Sequence, residues 1–255
     1  MLNYLLAEIY RILHKRSMYI YFGILAVFSI LLIAVAIYVL EGVTAGDAPA
    51  GIIVSYASTF YGMIPLLLGC YLFAAIYTDD LASKNLGNLI GQGMSRMKIV
   101  LGKFILLVLF CVVTFGLAPL YTAAIFTVLG AAPTLADVGN LYIIVVQQAL
   151  VAMGAAVVAS IVVYGLQRPT FALVTFLLVV LGLVGQILSI VFSLDAVYSL
   201  APWLTDCLML FISGQVAEAL ASGTALLSPL IRCILYFAIA ITLSILAFRQ
   251  KELEF

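Results

Sequence analysis

Few side chains in this sequence can carry chemistry. His14 is the single histidine among 255 residues, and it sits in the N-terminal segment. A Ser–His nucleophile pair or a histidine-ligated metal protease centre cannot be built around it, and neither HExxH nor GxSxG occurs. Gly102-Lys103-Phe104 is the nearest approach to a phosphate-binding loop, but it lacks the upstream glycine and the Ser or Thr that should follow the lysine. Nucleotide binding by that route is excluded. Cys70, Cys111, Cys207 and Cys233 show no CxxC spacing, so they indicate neither a zinc site nor a disulfide framework. A Cys207–Cys233 bond stays open only if both face the same outer side. Three polar groups remain. Asp79, Asp80, Lys84, Ser95 and Arg96 cluster within one short stretch. Gln186 follows Gly182 and Gly185 inside an apolar run, and reads either as an interhelical hydrogen-bonding residue or as a pathway-lining one. Arg232 stands about one turn into the last apolar run. It reads either as a partner of Asp195, Asp206 or Glu218, or as an outward-snorkelling cation, or as a substrate contact.

The elements that must hold these groups are apolar. Hydrophobic residues make up 66% of the chain and charged ones 9%, with mean hydropathy +1.30. Soluble domains carry roughly a quarter charged residues. A water-facing surface cannot be covered with so few, so a bilayer is the expected solvent, and a net charge of zero gives no field for nucleic acid. Runs long enough to cross it lie near residues 18–40, 52–77, 104–129, 141–166, 171–193 and 229–248. They are continuous, which disfavours β-barrel strands. The expected fold is therefore an all-α integral membrane protein with six transmembrane helices, the whole chain 1–255 forming one transmembrane domain. Pro65 and Pro119 fall inside spans and should kink them. Ten of the eleven Lys and Arg residues fall on one side of this topology, Arg232 being the exception. The positive-inside rule then puts both termini in the cytoplasm.

Three segments outside the spans are informative. In residues 1–17, Leu2, Leu5, Leu6, Ile9, Ile12 and Leu13 recur at helical spacing while Asn3, Glu8, Arg11 and Lys15 take other faces. This reads as an amphipathic interfacial helix, the alternative being a simple cytoplasmic extension of the first span, and not as a cleavable signal. In residues 78–98, Thr78 can cap a helix that opens with Asp79 and Asp80. Leu86, Leu89, Ile90 and Met97 then follow at roughly helical spacing, weakened by Gly87, Gly91 and Gly93. Such a short mixed helix needs a partner surface; the alternative is a solvated loop. Residues 195–228 hold Trp203 and Tyr198 and are too broken to span, which suits a re-entrant or interfacial hairpin before the sixth span. The fourth span carries a small-residue packing face of Ala152, Ala155, Ala156, Ala159 and Ser160. The middles of spans two to five carry no charge, which disfavours a proton- or ion-coupled carrier.

The run from Asp79-Asp80-Leu81-Ala82-Ser83-Lys84-Asn85-Leu86-Gly87 through Gly93-Met94-Ser95-Arg96-Met97-Lys98-Ile99 to Gly102-Lys103, with the ending Phe248-Arg249-Gln250-Lys251-Glu252-Leu253, resembles the ABC-2 family of ABC exporter permeases. Asp79 and Asp80 stand where that family usually has Glu. The likeness covers nearly the whole chain in architecture and is similar to small bacterial peptide exporters such as the phenol-soluble modulin exporter permeases. It implies a permease subunit, not an enzyme, in a bacterial cell membrane. Two separate ATPase chains would bind ATP and Mg, and a second permease chain, identical or paralogous, would complete the complex. Residues 78–98 would be the coupling helix, with Asp79, Asp80, Lys84, Leu86, Leu89, Ile90, Ser95 and Arg96 meeting the ATPase. The cargo would be an amphipathic, antimicrobial or cytolytic peptide or another hydrophobic compound. A secondary transporter and a non-transporting sensor or assembly subunit are the competing readings.

Overall fold

The computed structural model describes residues 2–43, 60, 62–63, 65–82, 85–128, 133–192, 194 and 208–250. Every regular element among them is helical. In chain order they are α1 (Leu2–Leu13), α2 (Arg16–Val43), α3 (residues 65–82), α4 (Asn85–Gly91), α5 (Arg96–Val128), α6 (Leu135–Leu166), α7 (Pro169–Val180), α8 (Leu183–Phe192), α9 (Met209–Ser222) and α10 (Leu227–Gln250). Among the described residues, α2, α5, α6 and α10 are long and apolar enough to cross a bilayer. The α7–α8 pair makes a fifth if its 61° bend lies within one span. This composition and length fit a multi-pass membrane protein. The expected second span, 52–77, falls partly on residues outside those described; its described part is residues 60, 62–63 and α3 as far as residue 77.

Local signals explain the boundaries. Thr134 and Asp137 form a capping box at the start of α6, with the Thr134 N–H donating to Asp137 Oδ2 at 2.8 Å. α6 ends at Gln167, which is left-handed (φ 54°) and donates its N–H to the Val163 carbonyl. Arg168 is extended, as a residue before proline must be, and Pro169 opens α7 with its fixed φ. The expected fifth span is not one straight helix. Gly182, at φ 73°, breaks it, and its N–H bonds back to Val179 instead of continuing the ladder. α3 also departs from a simple span, because Pro65–Gly69 and Ala74–Thr78 are π-wound. Thr78 does not cap a new helix: it lies inside a continuous one and its Oγ1 donates back to Ala74 O at 3.0 Å. α5 remains helical through the buried Pro119.

α6 is the centre of the bundle, touching α3, α5, α7, α9 and α10. Ala152, Gly154, Ala155, Ala156, Ala159 and Ser160 are all buried, so neighbouring backbones approach closely. Ser160 and Ser244 share a hydrogen bond of 2.9 Å between α6 and α10. A Cβ on Gly154 would lie 2.4 Å from Met209 Cγ, so the absence of a side chain there seats the start of α9. A row of buried rings, Phe176, Phe73, Tyr77, Tyr164 and Phe248, with centroids 4.8–6.4 Å apart, joins α7, α3, α6 and α10. Outward faces carry Ile20, Leu31, Val112, Leu120, Ile187 and Leu235, a surface suited to lipid.

Candidate functional site: a buried ion cluster under the N-terminal helix

α1 uses its helical period twice. Tyr4, Glu8 and Ile12, four residues apart, are buried against the bundle. Leu2, Leu6, Tyr10 and Leu13 are exposed on other faces. The polar residues of this helix do not all face solvent: Glu8 is only 5% exposed. Opposite it, the inward stripe of α5 runs Ile99, Val100, Lys103, Leu106, Leu107 and Phe110, with a lysine in an otherwise apolar series.

Lys103 is 1% exposed, so its charge must be met by protein. Its Nζ donates to Glu8 Oε2 at 3.0 Å and to Asp80 Oδ2. Arg11 closes the arrangement. Its Nη2 donates to Glu8 Oε2 at 2.7 Å and its Nη1 lies 3.0 Å from Asp80 Oδ1. Two acids and two bases thus form a neutral quartet that ties α1, α3 and α5 together. Lys15 pairs with Asp79 at the rim. Burial opposes the Arg11 charge, but Asp80 and then Glu8 outweigh it and raise the guanidinium above its ordinary pKa. Burial, reinforced by Glu8 and Asp80, pushes the Tyr4 hydroxyl well up, so it stays neutral. Each carboxylate is paired with a cation, so the arrangement can act as a stiff joint between elements. No group of three or more metal-ligating side chains exists among the described residues.

The stretch after the joint turns back on itself. α4 ends in a Schellman motif: Met94 N–H bonds to Leu89 O at 3.1 Å, and Gly93 N–H to Ile90 O at 2.9 Å. Gly93 has φ 85°, which explains the glycine. Leu86 is buried, and Leu89, Ile90 and Met94 pack on the core, so this apolar face finds its partner surface in the same chain. Asn88, Gln92, Gly93, Ser95, Met97 and Lys98 form the exposed tip. Arg96 turns inward: its Nη1 donates to Phe248 O at 2.6 Å and Arg249 O at 3.1 Å, and its guanidinium lies 5.4 Å from the Phe248 ring centre.

The expected site residues therefore divide. Asp79 and Asp80 join the ion cluster, Leu86, Leu89 and Ile90 form the packed side of α4, and Ser95 is at the exposed tip. Arg96 holds the end of α10. Lys84 lies outside the described residues. Gln186 is exposed on α8, away from this cluster, and Arg232 donates to Gln215 Oε1 at 3.1 Å between α10 and α9. Asp195, Asp206 and Cys207, its suggested partners and that of Cys233, also lie outside the described residues. Glu8, Arg11 and Lys103 are the members of the quartet that composition and topology did not single out. The signal was present in the spacing, since Lys103 falls on the same helical stripe as Ile99, Val100, Leu106 and Leu107. Comparison with protein-family models, with curated proteins and with solved structures finds no match for the chain.

Proposed function

We propose that this chain is the membrane-spanning permease subunit of an ATP-driven exporter of the ABC-2 kind, with the ATPase on a separate chain. The supporting observation is mechanical. The exposed tip between Asn88 and Lys98 is joined at one end through Asp79 and Asp80 to α1 and α5, and at the other through Arg96 to α10. Charged contacts at Asp79, Asp80 and Arg96 would carry a push on that tip to three helices. Transmission of this kind biases a two-state bundle, as nucleotide-driven export requires.

In this reading the bundle has six spans with both termini in the cytoplasm of a bacterium, and α1 lies in the cytoplasmic membrane interface. Residues 78–98 are the coupling segment. Its ATPase-facing surface is the tip of Asn88, Gln92, Met97 and Lys98, while Leu86, Leu89 and Ile90 brace it. α9 is the ascending arm of the hairpin before the last span. Two permease chains and two ATPases, the latter holding ATP and Mg, make the complex, and the apolar walls favour an amphipathic or cytolytic peptide as cargo. Affinity purification of the chain in mild detergent, followed by mass spectrometry and an ATPase assay, tests it. An ABC-type ATPase eluting in equal amount and hydrolysing ATP is the expected result. The chain eluting alone and inactive from native membranes overturns it.

One observation favours a second reading. Glu8, Asp80 and Lys103 are buried ionisable groups, which proton-coupled carriers also use. Efflux abolished by a protonophore and insensitive to ATP depletion would select that reading instead.

A further inference from the structure

Between α2, the start of α3 and the second half of α5 lies a cavity of about 480 Å³. Its walls are apolar, with Phe22, Leu25, Leu68 and Leu117 among them. Three of the hydroxyls at the wall are committed to main chain. Ser29 donates to Ala26 O at 2.8 Å, Tyr121 to the same carbonyl at 3.0 Å, and Thr114 to Phe110 O at 2.6 Å. These groups have no need of a polar ligand, and what the walls offer is contact with hydrocarbon. The space opens between two helices long and apolar enough to cross a bilayer, so the solvent around it is lipid chains.

Its size identifies the occupant. A protein cavity of about 150 Å³ holds benzene, so a space roughly three times larger takes on the order of eighteen carbons. That is the scale of one acyl chain of a membrane lipid. Tyr19, at the end of the wall nearest the start of α2, is exposed, and an aromatic hydroxyl suits the headgroup level. We infer that this cavity binds one acyl chain of a bilayer lipid, which completes the packing of α2 against α5. The bound chain would add to the contacts that α2 already makes through Met18, Tyr21, Phe22, Leu25 and Ile33. The inference needs only that the chain is a membrane protein and is independent of the permease reading.

The test uses the full chain in phosphatidylcholine vesicles doped with a phosphatidylcholine bearing a diazirine at one acyl terminus. After irradiation, adducts are mapped by mass spectrometry. Peptides carrying Phe22 and Thr114 are expected to be labelled above those carrying Ile187 or Leu235, which meet bulk lipid. Ala26→Phe and Ala118→Phe each fill the cavity from a different helix, and either one that still elutes as the wild type does is expected to lose the cavity adducts while keeping those at Leu235. Cavity labelling equal to that at Leu235 in the wild type overturns the inference. So does unchanged labelling in a filled variant, or labelling of the cavity by a diazirine-bearing amphipathic peptide but not by the lipid.

Discussion

The Lys103 ammonium sits between the carboxylates of Glu8 and Asp80, joining a helix at the start of the chain to two helices of the bundle. With 1% of Lys103 exposed, water cannot substitute for either partner. Removing one member of a buried pair strands the other, at a cost of about 3–5 kcal/mol. Lys103→Met should lower thermal stability in detergent by that order. Adding Asp80→Asn should recover part of the loss, because the stranded charge is gone. Strict additivity of the two variants in unfolding experiments would mean that the residues do not share the energetics drawn from their contact.

Arg96 makes a second, separable joint. Its two hydrogen bonds fall on the carbonyls of Phe248 and Arg249, in the last turn of α10. Hydrogen bonds from a charged donor contribute about 1.5–3 kcal/mol, and the partial exposure of Arg96 puts the expected loss in Arg96→Ala near ~1–2 kcal/mol. Hydrogen exchange at the last turn of α10 should accelerate. Lys at this position should not restore protection, since it has neither the planar fork nor the ring stacking over Phe248. Equal protection in the Lys variant would show that charge alone is what holds the helix end.

How much of this was readable in the sequence depends on the element. The apolar runs at 104–129, 141–166 and 229–248 correspond to α5, α6 and α10, because length and hydropathy suffice to mark a spanning helix. The small face of α6 was visible as well, from Ala152 to Ser160. The break at Gly182 was not, since an isolated glycine in an apolar run is compatible with a straight helix. Asp79 and Asp80 stood out as an acidic pair, but their partners did not. Glu8 lies more than 70 residues from Asp80, and nothing local to either says that they meet. The inward side of α4 was not legible either: Leu86 is buried and Leu89 and Ile90 are partly buried against this chain's own core, packing that nothing local in the sequence announces.

That last point separates two outcomes for the turn between α4 and α5. Met97 is 54% exposed and Leu86 is 5% exposed, only eleven residues apart. Met97→Asp should leave the unfolding temperature unchanged and reduce recovery of the ATPase in affinity purification. Leu86→Asp buries a charge and should reduce both, by about 2 kcal/mol or more in stability. Normal ATPase recovery with Met97→Asp would remove the tip from the proposed interface while leaving the fold argument intact.

The turn between α6 and α7 allows a stabilising change. Gln167 holds φ 54°, a conformation that costs an L residue roughly 1–2 kcal/mol and glycine almost nothing. Gln167→Gly keeps the N–H that bonds to Val163 O and relieves that strain. Part of the gain is offset by the larger conformational freedom of glycine in the unfolded chain, leaving an expected rise of about 0.5–1 kcal/mol. Gly182 at φ 73° supplies the control, because Gly182→Ala should lose about as much as Gln167→Gly gains. Thermal unfolding of the two variants against the wild type in one detergent reads both signs, and a destabilised Gln167→Gly would mean that the Gln167 side chain contributes more than its backbone costs.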